Sequence, residues 1–220
     1  MKMIMLTESK LHSIIREVIE EVWGENDDIT DKNDFNINDL QQQTGRDIFD
    51  YCKKCLGDPI GKGSARAVFK INDSKAIKVA YGYSGIEQNK VEAQASSNND
   101  CFCKVFRKAP DYSWLICEYA QPITEDDFVE LTGIDWAYFQ LFLSDVDLHH
   151  HNHFNQTIND YYFEKLLPLV KSNPILNGVY SFIEKNQILS GDLKKLDSWG
   201  SVIRNGKPTL VVIDGGRETQ

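Results

Sequence analysis

The chain has 220 residues, 41% of them hydrophobic, which suits one domain with an appendage and is enough to build a real core. Its 33 acidic and 24 basic side chains give a net charge of −9, which argues against a phosphate-backbone binder and so against nucleic acid as a partner. No apolar run reaches the roughly 18 to 20 residues of a membrane span, and Met3 to Leu6 is too short for a signal-peptide core. Five cysteines at uneven spacings fit reduced thiols, hence a cytoplasmic compartment.

Thr7 is placed to cap a first helix whose Leu11, Ile14, Ile15, Val18, Ile19 and Val22 fall on one face. This amphipathic leader, residues 1–23, docks either on its own domain or on a protein partner through the Leu11 to Val22 face. It resembles the short leaders of many proteins of large tailed phages, which implies a viral origin and a place in the host cytoplasm or the virion. Residues 24–39 carry Glu25, Asp27, Asp28, Asp31, Asp34 and Asp39, and read as a flexible acidic linker.

Ile48, Tyr51, Cys52 and Cys55 are at helical spacing, and the helix is expected to stop at Leu56-Gly57. Cys52 and Cys55 form a CxxC that Cys101 and Cys103 would complete as four zinc ligands. Burial beside Ile48 as small hydrophobes is the better reading, since CxC is not a usual structural-zinc pairing. His149, His150, His151 and His153 stand without an acid or cysteine at ligand spacing, as in a solvated loop.

Gly61-Lys-Gly63-Ser64-Ala-Arg66 is a glycine-rich turn followed by a strand, Ala67 to Ile71, a turn at Asn72 to Lys75, and a return strand, Ala76 to Ala80. Dinucleotide fingerprints and Walker loops open a helix, so both are excluded. A glycine hairpin can instead fold over phosphates, its bare N–H groups approaching closely. Lys78, in the middle of an apolar strand, requires a carboxylate or phosphate opposite it, because an unpaired buried ammonium costs several kcal/mol by order of magnitude. Glu92 is the candidate partner, on a helical stretch from Ser84 to Ala95 in which Ile86, Asn89 or Lys90, and Ala93 share a face. Strands at Lys104 to Phe106 and Trp114 to Tyr119 follow.

Near the end, Trp199 to Arg204 alternates, Asn205-Gly206 supplies a type I′ turn, and Thr209 to Ile213 reads as a strand buried on both faces. The hairpin delivers Asp214 to the mouth of the core, near Asp192 and Asp197, where like-charge repulsion is expected to disfavour its ionised form. A divalent cation is one economical partner, and an ordinary hairpin with two solvated acids is the other reading.

Taken in order, Gly61-x-Gly63, Lys78 in Ala-Ile-Lys-Val, Glu92, Glu118-Tyr119-Ala120, Asp192-Leu193 and Ile213-Asp214-Gly215 resemble the protein-kinase and kinase-like phosphotransferase family over about residues 56 to 216. The resemblance implies ATP and Mg²⁺ as cofactors. Gly61 and Gly63, with Ser64 and Arg66 on the same loop, would cover the phosphates. Lys78 would hold the α- and β-phosphates and pair with Glu92, and the Glu118, Tyr119 and Ala120 backbone would meet adenine. Asp192 would be the catalytic-loop base, and Asp214 a metal ligand with Asp197 or Ser198 as the second. Ser190-Gly-Asp192 is closer to the His-Gly-Asp of small-molecule kinases than to His-Arg-Asp. Arg66 replaces the third glycine, where it either reaches a phosphate or fills the pocket. Only Arg217 to Gln220 follow Gly216, where protein kinases have an activation segment and a distal helical lobe, so a peptide-substrate kinase is not expected.

Helical patterns over Thr124 to Val146 and Ile158 to Ile188 supply the remaining lobe. The expected fold is α+β: a small two-lobe kinase-like arrangement with a five-stranded antiparallel sheet and one helix over 40–120, and a reduced helical lobe over 121–220. Three functions compete: a phosphotransferase to an unknown acceptor, a pseudokinase that binds nucleotide without transfer, and a scaffold or virion component recruited through the leader.

Overall fold

A computed structural model describes residues 35–150, 161–186 and 190–214 of the chain. The leader, residues 24–34 of the acidic stretch, and His151 and His153 lie outside the described residues, as do the side chains of His149 and His150.

Apolar alternation and tight turns build the first sheet from β1 (Gly61–Lys62), β2 (Arg66–Lys70), β3 (Lys75–Ala80), β4 (Val105–Lys108) and β5 (Trp114–Glu118). Its five strands are antiparallel neighbours in the order β1-β2-β3-β5-β4. Val68 lies opposite Lys78, and Ala76 opposite Cys117. Arg66, Val68, Ala76, Lys78 and Cys117 therefore share one face, and Ala67, Phe69, Ile77, Val79 and Ile116 the other.

That second face is covered by α1 (Ile37–Gln41) and α2 (Arg46–Leu56), which bring Phe35, Ile37, Leu40, Ile48, Cys52 and Cys55 into one core with it. Cys52 and Cys55 are packed as small hydrophobes, and Gly57 ends α2 with φ 89°. Phe35 and Ile37, inside the stretch read as a linker, are buried, so the packed fold has begun by Phe35. Their apolar spacing with Leu40 is hidden among the surrounding acids.

The opposite face carries α3 (Tyr83–Asn98). Gly85, Asn89, Glu92 and Ala95 point inward, while Ile86 and Ala93 are half-buried and Lys90 is exposed. The inward face is largely polar, so apolar periodicity does not mark it. A Cβ on Gly85 would collide with the carbonyl oxygen of Ala65 and come within 2.9 Å of the Ala80 side chain. Gly85→Ala is accordingly expected to cost about 1–3 kcal/mol as overpacking, measured by urea unfolding. An unchanged midpoint would show that the glycine-rich loop yields freely.

β6 (Gln121–Pro122) leads into the second lobe, where Thr124 and Asp127 form a capping box on α4 (Glu125–Thr132). Gly133, at φ 74°, separates α4 from α5 (Trp136–His150). Asn173 accepts from the N–H groups of Ile175 and Leu176, and with Pro174 it separates α6 (Tyr161–Ser172) from α7 (Pro174–Asn186). Phe128, Trp136, Phe139, Phe142 and Trp199 centre this lobe's core, Phe128 meeting Trp136 and Trp199 edge to face.

Two single 3₁₀ turns, Asp192–Lys194 and Leu196–Ser198, precede the hairpin of β7 (Trp199–Arg204) and β8 (Lys207–Val212). Asn205 and Gly206 take φ of 53° and 72°, as the type I′ turn requires, and Leu210, Val211 and Val212 are all buried. Val212 donates its N–H to Cys101 at 2.8 Å and accepts from Cys103 at 3.2 Å, which binds β8 to the first lobe and places Asp214 beneath the sheet. The result is the expected α+β arrangement, a five-stranded antiparallel sheet followed by a mainly helical second lobe. Among the described residues, no helix is long and apolar enough to cross a membrane.

Candidate functional site

Lys78 is 2% exposed, so its ammonium must be paired within the protein. It donates to Oε1 of Glu92 and, at 2.6 Å, to the carbonyl oxygen of Ile213. One lysine thus ties β3 to α3 and to the end of the hairpin. Burial, the largest influence, pulls its pKa down, but the Glu92 carboxylate together with the smaller contribution of Cys117 more than restores it, and the net shift is upward.

Arg66 neither waits at the mouth of the site nor points to solvent. Its Nη1 donates to Glu92 Oε2 at 2.5 Å and to Asn89 Oδ1 at 3.2 Å, and its Nη2 lies 3.3 Å from Asp214 Oδ1. Burial lowers its pKa, and the charges of Glu92 and Asp214 more than restore it. Asn89 is fully buried and passes a further hydrogen bond, 2.8 Å long, to the carbonyl of Tyr112, a non-glycine residue at φ 58°. Two cations, Lys78 and Arg66, therefore share one buried carboxylate, and the half-exposed Asp214 supplies the second negative charge.

The acids of the second lobe surround a lysine. Lys195 Nζ is 2.7 Å from Asp192 Oδ1, and its pKa is raised chiefly by that hydrogen bond, with the charges of Asp192, Asp197 and Asp214 adding to it. The expectation of like-charge repulsion at Asp214 left out its cationic neighbour, Arg66. Asp197 is exposed, whereas Ser198 is 4% exposed and its carbonyl accepts from the N–H of Ile213 at 2.8 Å and of Asp214 at 3.4 Å. No group of three or more His, Cys, Asp or Glu side chains able to hold a metal occurs among the described residues.

Gly61 is half-buried in the edge strand β1, Gly63 and Ser64 are exposed in the turn that follows it, and Gly63 donates its N–H to Arg66 O at 2.9 Å. A Cβ on Gly61 or Gly63 would meet nothing closer than 3.8 Å. Neither glycine is demanded by the protein's own packing, which leaves the backbone bare for an approaching ligand. Glu118, Tyr119 and Ala120 join the lobes, with Tyr119 N–H donating to Ser74 O at 2.8 Å. The Glu118 carboxylate is turned to Arg204, Nη2 at 2.5 Å and Nε at 3.2 Å, and also accepts from Lys104 N–H at 2.9 Å. Its side chain locks β5 to the hairpin.

No family model and no curated protein matches the chain. Among solved structures it is similar to the ternary complex of streptomycin, ATP and APH(2″)-IIa, at 14% identity and a TM-score of 0.31, over 79% of this chain and 71% of that one. It is also similar to ADP-bound aminoglycoside phosphotransferase APH(2″)-Ib, at 14% identity and a TM-score of 0.31, over 77% and 69% of the two chains.

Lys195 and Arg204 are site residues that the sequence did not single out, and Asn89 was read there only as one of two alternatives on a helix face, with no role in the site. Asn89 lies one helical turn before Glu92, and that spacing was the one signal that could have found it. A small cleft also opens beside Glu92, between α3 and α7, lined by Val91, Ala95, Phe102, Phe182 and Asp214.

Proposed function

We propose that this chain binds a nucleoside triphosphate with Mg²⁺ between its two lobes, in the manner of kinase-like phosphotransferases. The observation that carries the reading is the Lys78–Glu92 pair, buried where the hairpin delivers Asp214. An ammonium has three donors. Glu92 and Ile213 take two, leaving one for a phosphate oxygen. The bare backbone at Gly61 and Gly63 fits phosphate approach, and the exposed Asp197 with the half-exposed Asp214 fits a cation that is shared with phosphates rather than caged by protein. Mg-ATP, when bound, supplies the phosphoryl group and the charge that links it to these carboxylates. The chain's own residues orient and neutralise: Lys78 and Arg66 face the phosphates, and Asp192 accepts the proton of an acceptor hydroxyl once Lys195 is drawn away.

A second reading, nucleotide binding without transfer, is favoured by one contact: Lys195 engages Asp192 at 2.7 Å and competes for the carboxylate that would act as base. The test is thermal unfolding of wild type and Lys78→Met with ATP, with and without Mg²⁺. The wild type is expected to gain stability with Mg-ATP, and Lys78→Met to gain much less. Equal shifts in the two proteins would remove Lys78 from the site. ADP release with water as acceptor then separates transfer from binding alone.

A further inference from the structure

The turn that carries Asp192 is gripped on both sides by one helix. Ser190, where small-molecule kinases have histidine, is fully buried against α5. Its N–H donates to Asp147 Oδ1 at 2.8 Å. Its hydroxyl lies 2.8 Å from Asp147 Oδ2 and 3.1 Å from the Leu143 carbonyl, and the charged oxygen is the stronger acceptor for its single proton. Four residues on, Lys194 Nζ reaches the same Oδ2 at 2.8 Å, and Gln140 Nε2 donates to the Lys194 carbonyl at 2.8 Å. Asp192 stands midway, two residues from each anchor. Leu193 between them is 1% exposed, and its carbonyl accepts from Trp199 Nε1 at 2.8 Å.

We propose that Asp147 is a positioning residue for Asp192: it clamps Ser190 and Lys194 to α5 and thereby fixes where the Asp192 carboxylate stands in the cleft. The catalytic half of this inference rests on the phosphotransferase reading, while the clamp itself does not. The physical case is the side-chain accounting. A buried serine needs partners for both its N–H and its O–H, and a carboxylate 16% exposed needs donors on both oxygens. Each requirement is met by the other, and Lys194 supplies the counter-charge. Asp147 makes no contact with the Asp192 carboxylate among the contacts described, so it acts through the backbone between the anchors.

Two measurements on the full chain test this. Hydrogen exchange of the Ser190 to Lys194 amides is expected to be about tenfold faster or more in Asp147→Ala, a tenfold change corresponding to about 1.4 kcal/mol of local opening, with β3 amides unchanged. ADP release from Mg-ATP is expected to fall about 100-fold in kcat, the scale of a misplacement near 1 Å, with KM for Mg-ATP within about twofold of wild type. Asp147→Asn retains an oxygen for the Ser190 N–H and is expected to fall in between. Lys194→Met added to Asp147→Ala should lose little more, because both act through one contact. Should Asp147→Ala not fold, Asp147→Asn and Ser190→Ala give the same comparison. Unchanged exchange in the loop overturns the clamp. A loosened loop with unchanged kcat overturns the positioning role. A wild type that binds Mg-ATP and releases no ADP overturns the transferase reading and the positioning role together, and the exchange result then judges the clamp alone.

Discussion

Glu92→Ala is expected to lower stability by about 3–5 kcal/mol, because it strands two buried cations at once. Lys78 and Arg66 both end on this carboxylate, one on each oxygen, and their side chains are 2% and 8% exposed. A melting temperature roughly 10 °C lower is the corresponding shift for a chain of this size. The combined variant Arg66→Met, Lys78→Met, Glu92→Leu should cost less than Glu92→Ala alone, since it removes both buried cations with their shared carboxylate and leaves only the half-exposed Asp214 and one oxygen of Asn89 without Arg66. Chemical denaturation of both proteins decides the matter: a loss below about 1 kcal/mol in Glu92→Ala would mean that water or other groups already serve the two cations. The pH dependence follows from the same pairing. Lys78 has a folded pKa above its ordinary 10.5, so its contribution is complete below that pH. It is lost as pH rises through the higher folded value. The stability difference between wild type and Lys78→Met should therefore stay level from pH 7 to about 10 and shrink only above that, between the unfolded lysine's value and the higher folded one.

What the sequence disclosed here was local or ordered along the chain. Asn205-Gly206 announces its turn because positive φ at two successive positions is a requirement of the hairpin itself. Lys78 betrays a partner because an ammonium in an apolar strand cannot stand alone, and Glu92 lies on the next helix. The inner face of α3 was illegible for the opposite reason. Asn89 and Glu92 face inward to satisfy Arg66, Lys78 and the Tyr112 carbonyl, so apolar spacing, which groups Ile86 with Ala93 and leaves Asn89 and Lys90 as alternatives, does not mark that face. Arg66 itself showed as a departure from a glycine pattern, but its partners lie on α3 and beyond the hairpin, and only the fold brings those segments together. Phe35 and Ile37 were masked by neighbouring acids, whose charges say nothing about which side chains between them are packed.

Asp214→Asn is expected to be close to wild type without ligand and to lose the magnesium-dependent share of stabilisation by ATP. The neighbourhood of Asp214 sets the first half. Repulsion from Asp192 and Asp197 alone would make the amide stabilising, but Arg66 Nη2 stands 3.3 Å from the carboxylate, which is 46% exposed. A half-exposed ion pair of that kind contributes about 0–1 kcal/mol, so the unliganded variant should sit within that margin below wild type. The second half follows from what an amide can do. It keeps an oxygen of reduced charge and so leaves phosphate contacts to Lys78 and Arg66 intact, while it binds a hard divalent cation far less well. In the wild type, stabilisation by Mg-ATP grows as RT ln(1 + [L]/Kd), about 2.7 kcal/mol at a hundredfold excess over Kd, or roughly 5 to 10 °C here. Part of that gain is spent in drawing Asp214 away from Arg66, so Arg66→Met should show a larger magnesium-dependent increment than wild type, although its total shift is smaller. Calorimetric scans with ATP, Mg-ATP and neither, on wild type and both variants, contain the whole test. A magnesium-dependent shift that survives Asp214→Asn removes the metal role from Asp214, and a wild type that does not respond to millimolar Mg-ATP removes nucleotide from the function altogether.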